Sequence, residues 1–188
     1  MIIPDYFIKK NFKPKISENP SESLSVCVVI PSFNESSLDK SLLSLANCKN
    51  YNGTVEVIVV VNHPENSSLE IIEQSQKSVQ LVNDFNGKHG NSKLNFYTIK
   101  AFDLPNKHAG VGLARQRGMD EAAFRLFSID NPNGVIACFD ADATCADNYL
   151  EELEQLWIRN PETTACSIRY EHPISGTEFP PDIYKGIA

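Results

Sequence analysis

Two aspartates, one residue apart, follow an apolar run near the middle of the second half of the chain. The segment VIACFDADATC, residues 135–145, contains Asp140 and Asp142. Side chains at positions i and i+2 of an extended segment point the same way, so the two carboxylates repel each other unless a cation lies near them. Mg²⁺ typically binds through one or two carboxylates plus substrate phosphates. The spacing therefore suggests a metal-bound diphosphate, and a solvated Asp-rich turn is the alternative that so short a motif leaves open.

Alternating strands and helices precede and follow this segment. Short apolar runs predict five strands, at residues 24–30, 55–61, 94–100, 134–139 and 164–171. Helical patterns lie at residues 36–48, 67–79, 109–128 and 148–158. Strands that are apolar on both faces, joined by helices, predict an α/β fold of the Rossmann-like kind. We expect a mostly parallel sheet with helices on both faces, in three α/β/α layers.

Several local features accompany these elements. Pro31 is predicted to end the first strand, and residues 83–93 are predicted to form a polar loop. Ser36 and Asp39 have the spacing of a capping box at the start of the first predicted helix. Asp147 is a candidate cap for the last helix. Residues 1–23 contain three prolines and are predicted to form an N-terminal arm without a core element.

Composition narrows the possible functions. The 188 residues carry a net charge of −7, which disfavours a general nucleic-acid-binding role because such proteins present a basic surface. The five cysteines are odd in number and form no CxxC pair, so we expect reduced thiols in a cytoplasmic protein and no zinc site. No apolar stretch reaches the ~18 residues of a membrane span, and the first residues lack the features of a signal peptide.

The segments that follow the predicted strands are the expected binding region. In an open α/β sheet, ligands bind beyond the carboxyl ends of the strands. PSFNES, NHPENS and DADATC each follow a strand, and NKHAGVG precedes the long helix. The Walker pattern is absent, and no GxGxxG follows the first strand. These absences count against a P-loop NTPase and a dinucleotide-dependent dehydrogenase.

Four segments in this order resemble the nucleotide-sugar-binding half of family 2 glycosyltransferases, which have the GT-A fold. They are VCVVIPSFNES, VEVIVVVNHPENSS, HAGVGLARQRGMDEA and GVIACFDADAT. The resemblance covers roughly residues 24–171. It implies that residues 24–171 form a nucleotide-sugar-binding core. Residues 172–188 would then begin an acceptor-side region that is incomplete in this apparently truncated chain.

The resemblance also implies roles for individual residues. Pro31, Phe33, Asn34 and Glu35 correspond to the segment that holds the nucleoside. For Glu35, complementing the dipole of the following helix is an equally good explanation. Asn62 stands where the family usually has a base-recognising Asp. Because an amide both donates and accepts hydrogen bonds, uracil, guanine and cytosine donors all remain open.

The remaining implied residues concern the diphosphate and the metal. Lys107 and Arg115 resemble the basic residues of the family that lie near the diphosphate, with surface cations as the alternative. Arg117 lies about 200° from Arg115 around the helix, so the two cannot both face the site. Asp140 is implied to contact the ribose or the metal, and Asp142 to be the main metal ligand. The ligand type does not separate Mn²⁺ from Mg²⁺.

The activity implied is the transfer of a hexosyl-type sugar from a nucleoside diphosphate to a saccharide or lipid-linked acceptor hydroxyl, with inversion. Glu171 and Glu178 follow the last predicted strand, but no family motif supports either as the general base. We therefore expect the base to lie beyond residue 188, and this chain alone to transfer little or no sugar. The expected location is the cytoplasm, in solution or at the inner face of the membrane.

Three other functions stay open at this point. A non-catalytic nucleotide-sugar-binding module would need only the segments quoted above. A nucleotidyltransferase also uses carboxylate-bound Mg²⁺, but it usually has a Gly-rich basic segment after the first strand, and PSFNES has neither feature. A plain α/β domain with an incidental DxD is the third, because function depends on the site and not on the fold.

Overall fold

A computed structural model describes residues 4–171, apart from the side chain of His108. Its helices are α1 (Asp5–Lys9), α2 (Leu38–Ala46), α3 (Leu69–His89), α4 (Val111–Ser128) and α5 (Tyr149–Arg159), with a short 3₁₀ helix at Asn106–His108. Its strands are β1 (Leu24–Ser32), β2 (Thr54–Pro64), β3 (Leu94–Leu104) and β4 (Val135–Cys138). No helix among the described residues combines the length and the apolar character that crossing a bilayer requires.

The four strands form one sheet in the order β3-β2-β1-β4, and all pairs are parallel. The predicted parallel sheet is therefore confirmed. The predicted fifth strand is wrong: residues 164–171 are exposed and adopt no strand. Their β-branched residues suit a half-buried pleated surface, but here they pack on none, so propensity alone does not produce a strand.

Helices cover both faces of the sheet, which confirms the three-layer architecture. One apolar cluster contains residues of α2, α3 and α5 together with β1, β2, β3 and β4. The opposite cluster contains residues of α4 and the N-terminal segment, including Ala122, Leu126 and Ile16. Gly118 allows α4 to lie close to the sheet, because a β-carbon there would collide with the side chains of Val29 and Val60.

The central strands run further than their apolar runs predict. β1 includes Pro31, so the prediction that this proline ends the strand is wrong. A proline is tolerated at this position because β4 pairs only with Val26–Val29, which leaves one side of Pro31 without a ladder partner. β2 continues to Pro64, so Asn62 and His63 belong to the strand and are buried.

The polar loop predicted at residues 83–93 is also wrong over most of its length. Helix α3 continues to His89. Phe85 packs edge-on against Phe96 at 5.0 Å, and the Asn86 side chain accepts a hydrogen bond from the backbone N–H of Phe96 at 2.8 Å. These contacts with β3 stabilise a helical turn whose composition, taken locally, resembles a loop.

Neither predicted cap forms. Ser37, not Ser36, is the N-cap residue of α2, and its side chain makes no capping hydrogen bond. Asn148 is the N-cap residue of α5, while Asp147 forms a salt bridge with Lys49 at 3.2 Å. Sequence spacing identified candidate oxygens, but the chain direction before each helix decides which oxygen can reach the free amides.

The N-terminal segment packs on α4, on the face of the sheet opposite α2. The Tyr6 hydroxyl donates to Asp120 at 2.6 Å. The Glu121 carboxylate accepts the backbone N–H groups of Lys15 and Ile16, at 2.8 and 3.1 Å. The prediction that the N-terminal arm contains no core element is therefore wrong for residues 4–23, which contain α1 and contribute Ile16 to an apolar cluster.

A buried ion pair joins α4 to the sheet beneath this segment. Arg125 donates to both oxygens of Glu56, with a 2.7 Å distance from Nη2 to Oε1, and both residues are buried. Arg125 Nη1 also donates to the Glu18 carbonyl at 2.8 Å. One guanidinium therefore connects the strand, the helix and the N-terminal segment.

We predict that Glu56→Ala lowers the free energy of unfolding by roughly 3–5 kcal/mol, because it leaves the Arg125 guanidinium buried without its counter-charge. Urea unfolding followed by circular dichroism measures this. The matched control is Glu152→Ala, whose partner Arg159 lies 3.7 Å away on the surface, and whose loss should cost at most about 1 kcal/mol. Equal losses in the two variants would contradict the prediction.

Candidate functional site

The segments singled out in the sequence meet at one edge of the sheet. Because the strands are parallel, the carboxyl ends of β1, β2 and β4 lie on the same side. Arg115 Nη2 on α4 donates to Asp140 Oδ1 at 2.8 Å. Asn62 Nδ2 at the end of β2 donates to the Ala109 carbonyl at 3.2 Å. These bonds tie the end of β2 and the segment after β4 to residues at and just before the start of α4.

The DxD segment leaves β4 with alternating burial. The Phe139 N–H donates to the Val29 carbonyl at 2.9 Å, which extends the ladder by one residue. Phe139 and Ala141 are buried, whereas Asp140 and Asp142 are exposed. The alternation therefore holds both carboxylates outside the apolar cluster. The Ala143 N–H also donates to the Asp140 carbonyl at 3.1 Å, so a turn is present as well.

Helix α2 supports the DxD segment from the side. The Ser41 hydroxyl, which is fully buried, donates to the Ala141 carbonyl between the two aspartates at 2.6 Å. The Ser44 hydroxyl accepts the backbone N–H of Cys145 at 3.2 Å. Sequence reasoning missed both serines, because small polar residues on an amphipathic helix carry no pattern that marks them as supports.

The carboxylates fit a metal that is shared with a substrate. Asp140 and Asp142 offer oxygen ligands, and the Asp140 side chain is 64% exposed even while it pairs with Arg115. Within residues 4–171 there is no group of three or more His, Cys, Asp or Glu side chains that could hold a metal. Mg²⁺ or Mn²⁺ bound here would therefore need ligands from water or phosphate, which is a usual arrangement for such ions.

Asn62 presents a hydrogen-bond acceptor. Its side chain is only 1% exposed, and the Nδ2 group is used by the Ala109 carbonyl. Its Oδ1 atom is buried and has no hydrogen-bond partner among the described residues. The amide, which in sequence could donate or accept, is thus oriented with its acceptor unused. Because buried acceptors are usually hydrogen-bonded, Oδ1 is a candidate acceptor for a donor group of a bound ligand.

The segment after β1 divides into buried and exposed parts. Pro31 is buried within the strand, while Phe33 is 47% exposed. Asn34 has a positive φ of 50°, which turns the chain toward α2. Glu35 Oε1 accepts the backbone N–H of Ser37 at 2.8 Å, so this carboxylate serves the start of α2. Gln74 on α3 donates to the Glu35 carbonyl at 3.0 Å, a contact that the sequence did not suggest.

The three basic residues considered from the sequence differ in their contacts with the carboxyl edge of the sheet. Arg115 lies at the edge, with a side chain that is 36% exposed and an Nε atom that is buried and unpaired among the described residues. Lys107 is exposed on the 3₁₀ helix that precedes α4, and the structure gives it no hydrogen bond within residues 4–171. Arg117 is exposed on α4 and takes no part in the Asp140 contact.

A model of the family described as Glycosyl transferase family 2 matches residues 27–186. The chain belongs to this family. The match includes the ends of β1, β2 and β4 and the start of α4, where the site residues lie. No curated protein sequence matches the chain.

Solved structures with a similar fold include those of TarS from S. aureus. Residues 1–349 of TarS in complex with UDP-GlcNAc align with a TM-score of 0.50 and 17% identity over 73% of this chain and 32% of TarS. Another structure of TarS residues 1–349 gives a TM-score of 0.46, 17% identity and coverages of 73% and 33%. At this identity the likeness concerns the fold, which confirms the GT-A-type prediction. The chain spans about a third of the TarS fragment it resembles.

We predict that Ser41→Ala lowers the free energy of unfolding by about 1–3 kcal/mol, because the buried Ala141 carbonyl loses the hydroxyl that donates to it. The control is Ser36→Ala at an exposed position just before α2, which should change this free energy by less than about 0.5 kcal/mol. Urea unfolding of the two variants and the wild type provides the comparison. An unchanged midpoint in Ser41→Ala would show that the hydroxyl does not support the DxD segment.

Proposed function

We propose that this chain is the donor-binding part of a metal-dependent glycosyltransferase and binds a nucleoside-diphosphate sugar at the carboxyl edge of its sheet. The observation that carries the proposal is the contact of Arg115 with Asp140, two residues from Asp142, in a chain of this family. A cation and two carboxylates at one strand end provide both signs of charge that a metal–diphosphate complex requires.

In this proposal Asp142 is the main ligand of Mn²⁺ or Mg²⁺, and Asp140 contacts the metal or the ribose. A bound divalent cation would neutralise charge that develops on the leaving diphosphate. The support is the exposure of both carboxylates and their fixed backbone, which Ser41 and the β4 ladder hold. Two protein carboxylates leave room for phosphate oxygens among the ligands.

Arg115 has two tasks in the proposed site. Its Nη2 group fixes one oxygen of Asp140, which orients the carboxylate. Its remaining Nη N–H groups are available to the diphosphate, because a guanidinium carries five donors in a planar fork and only the Nε group is buried. Lys107, exposed ahead of α4, would add a second positive charge as the donor enters.

The proposed nucleotide is uridine diphosphate. Asn62 offers an acceptor, Oδ1, that suits the ring N–H of uracil, and the same atom would also accept from the ring N–H of guanine. The similar fold of TarS in a complex with UDP-GlcNAc favours uracil between the two. Phe33, which directly follows β1, is exposed and available to pack on the base.

The transfer step requires more than the described residues supply. We propose an inverting transfer of a hexosyl-type sugar to a saccharide or lipid-linked hydroxyl, with a general base outside residues 4–171. Glu171 is exposed, and its carboxylate accepts a hydrogen bond from Arg169 at 2.6 Å. Glu178, the other acid considered from sequence, lies outside the described residues. A non-catalytic binding module would use the same donor site, and turnover by a longer chain distinguishes the two.

The proposal is tested by calorimetric titration of UDP, GDP and CDP, each with and without Mn²⁺. We expect UDP to bind best, only with metal, and Asp142→Asn to weaken it at least about 10-fold, because the variant loses a charged oxygen ligand. The matched control is Asp147→Asn, whose carboxylate pairs with Lys49 on the surface. Metal-independent binding, or equal binding by the two variants, would overturn the metal role.

A second pair of variants tests the diphosphate contact. Arg115→Gln should weaken UDP binding about 10-fold or more and leave the binding of uridine unchanged, because the lost guanidinium faces the phosphates and not the base. Arg117→Gln, on the same helix but exposed and away from Asp140, should bind both ligands like the wild type. If Arg115→Gln lost uridine and UDP equally, the effect would come from the fold, and the assignment would fail.

A further inference from the structure

Two cysteines that the proposed donor site does not use face each other beside it. Cys48 follows the end of α2, and Cys145 lies between the DxD segment and α5. Their Sγ atoms are 3.9 Å apart, although 97 residues separate them in the sequence. Both are free thiols. Contact between two thiols so distant in sequence is a specific result of the packing of α2 against the DxD segment.

The surrounding hydrogen bonds keep the two sulfur atoms together. On one side, the Ser44 hydroxyl accepts the backbone N–H of Cys145 at 3.2 Å. On the other side, the backbone N–H of Lys49 donates to the Asp147 carbonyl at 2.8 Å. Cys48 Sγ also lies 3.6 Å from the Ala146 carbonyl oxygen. The two segments are thus fixed to each other next to the thiol pair.

The two thiols differ in reactivity. Cys48 is buried, whereas Cys145 is partly exposed. The hydrogen bond with Cys48 lowers the pKa of the Cys145 thiol to about 7. The same hydrogen bond, together with burial, raises the pKa of the Cys48 thiol. Cys145 is therefore the thiolate that an oxidant in solution meets first, since the thiolate is the reactive form.

We propose that Cys48 and Cys145 form a reversible disulfide when the protein meets a hydroperoxide. In the first step the Cys145 thiolate attacks a peroxide oxygen and the O–O bond breaks. Cys145 becomes a sulfenic acid, and the other oxygen leaves as hydroxide or alkoxide, which takes up a proton to give water or an alcohol. In the second step Cys48 sulfur attacks Cys145 sulfur, the S–O bond breaks, and water leaves with the Cys48 proton. With hydrogen peroxide, the two thiols lose two electrons and two protons, and two water molecules form.

The fold can accommodate this bond. The sulfur atoms must approach from 3.9 Å to about 2.05 Å. Both cysteines lie outside helices and strands, so the segments that carry them can adjust. The disulfide would join the end of α2 to the segment that leads from Asp142 to α5. The hydrogen bond from Ser41 to Ala141 already connects α2 to this segment, and the disulfide would be a second, covalent connection.

The other three cysteines provide contrast. Cys27 is fully buried in the sheet, and Cys138 and Cys166 are exposed. None of these three has a thiol neighbour within hydrogen-bonding distance in the part of the chain that the structure describes. Cys138 and Cys166 can react with a thiol reagent, but a peroxide should not pair them within one molecule. The inference does not depend on the proposed donor or on any bound metal.

The test is mass-spectrometric peptide mapping of the folded 188-residue chain after treatment with hydrogen peroxide and blocking of free thiols. Trypsin releases Cys48 in residues 41–49, but Cys138 and Cys145 share residues 126–159. The experiment therefore uses Cys138→Ser as its background, so that a cross-link between the two peptides identifies Cys145. Cys166→Ser in the same background is the matched control.

We expect the cross-linked peptide in the background and in the control, and its loss after dithiothreitol. The oxidised protein should melt on the order of 5–10 °C higher than the reduced protein, because a loop of 97 residues is closed in the unfolded chain. Adding Cys48→Ser should abolish the cross-link and leave Cys145 as a sulfenic acid that dimedone traps. Oxidation of Cys145 without a cross-link to Cys48 in the folded background would overturn the proposal, as would no reaction at Cys145.

Discussion

The parallel pairing of β1 with β2 and β4 is the constraint on which the rest of the structure depends. Each parallel neighbour requires the chain to return across a face of the sheet before the next strand begins. Because β2 and β4 lie on opposite sides of β1, right-handed crossings in the two directions place helices on both faces. The strands then all end at one edge. Polar segments that are far apart in the sequence meet there, and Arg115 reaches Asp140 across 25 residues.

The two faces of the sheet position different residues of the site. On the α4 face, buried charged side chains fix the helix. Arg125 pairs with Glu56, and the Glu121 carboxylate accepts hydrogen bonds from two backbone amides of the N-terminal segment. Burial raises the pKa of the Glu121 carboxyl, and those amides oppose the shift. These contacts fix the position of α4 on the sheet, and therefore the position of Arg115 at its other end. On the opposite face, α2 holds the DxD segment through Ser41 and brings Cys48 to Cys145.

Helix α2 thus links three features of the site edge. At the start of α2, the Glu35 carboxylate accepts a hydrogen bond from the backbone N–H of the N-cap residue. In the middle of the helix, Ser41 donates to the Ala141 carbonyl, and Cys48 follows the end of the helix. If this helix shifted, the segment beside the exposed Phe33 would move, and the segment that carries Asp142 would move with it. The thiol pair lies where a covalent bond would limit that shift, which couples the proposed oxidation to the geometry of the proposed donor site.

The sequence by itself determined the alternation of β1–β4 with α2–α5 and the parallel sheet, because strands covered on both faces are continuous apolar runs. It also determined that Asp140 and Asp142 follow a strand, and hence the edge where a site is expected. The extension of α3 to His89, the unused acceptor of Asn62 and the caps of α2 and α5 were decided by the tertiary structure. So was the contact between Cys48 and Cys145. Each depends on contacts between distant segments that form only when the helices pack on the sheet. Local sequence patterns do not predict such contacts.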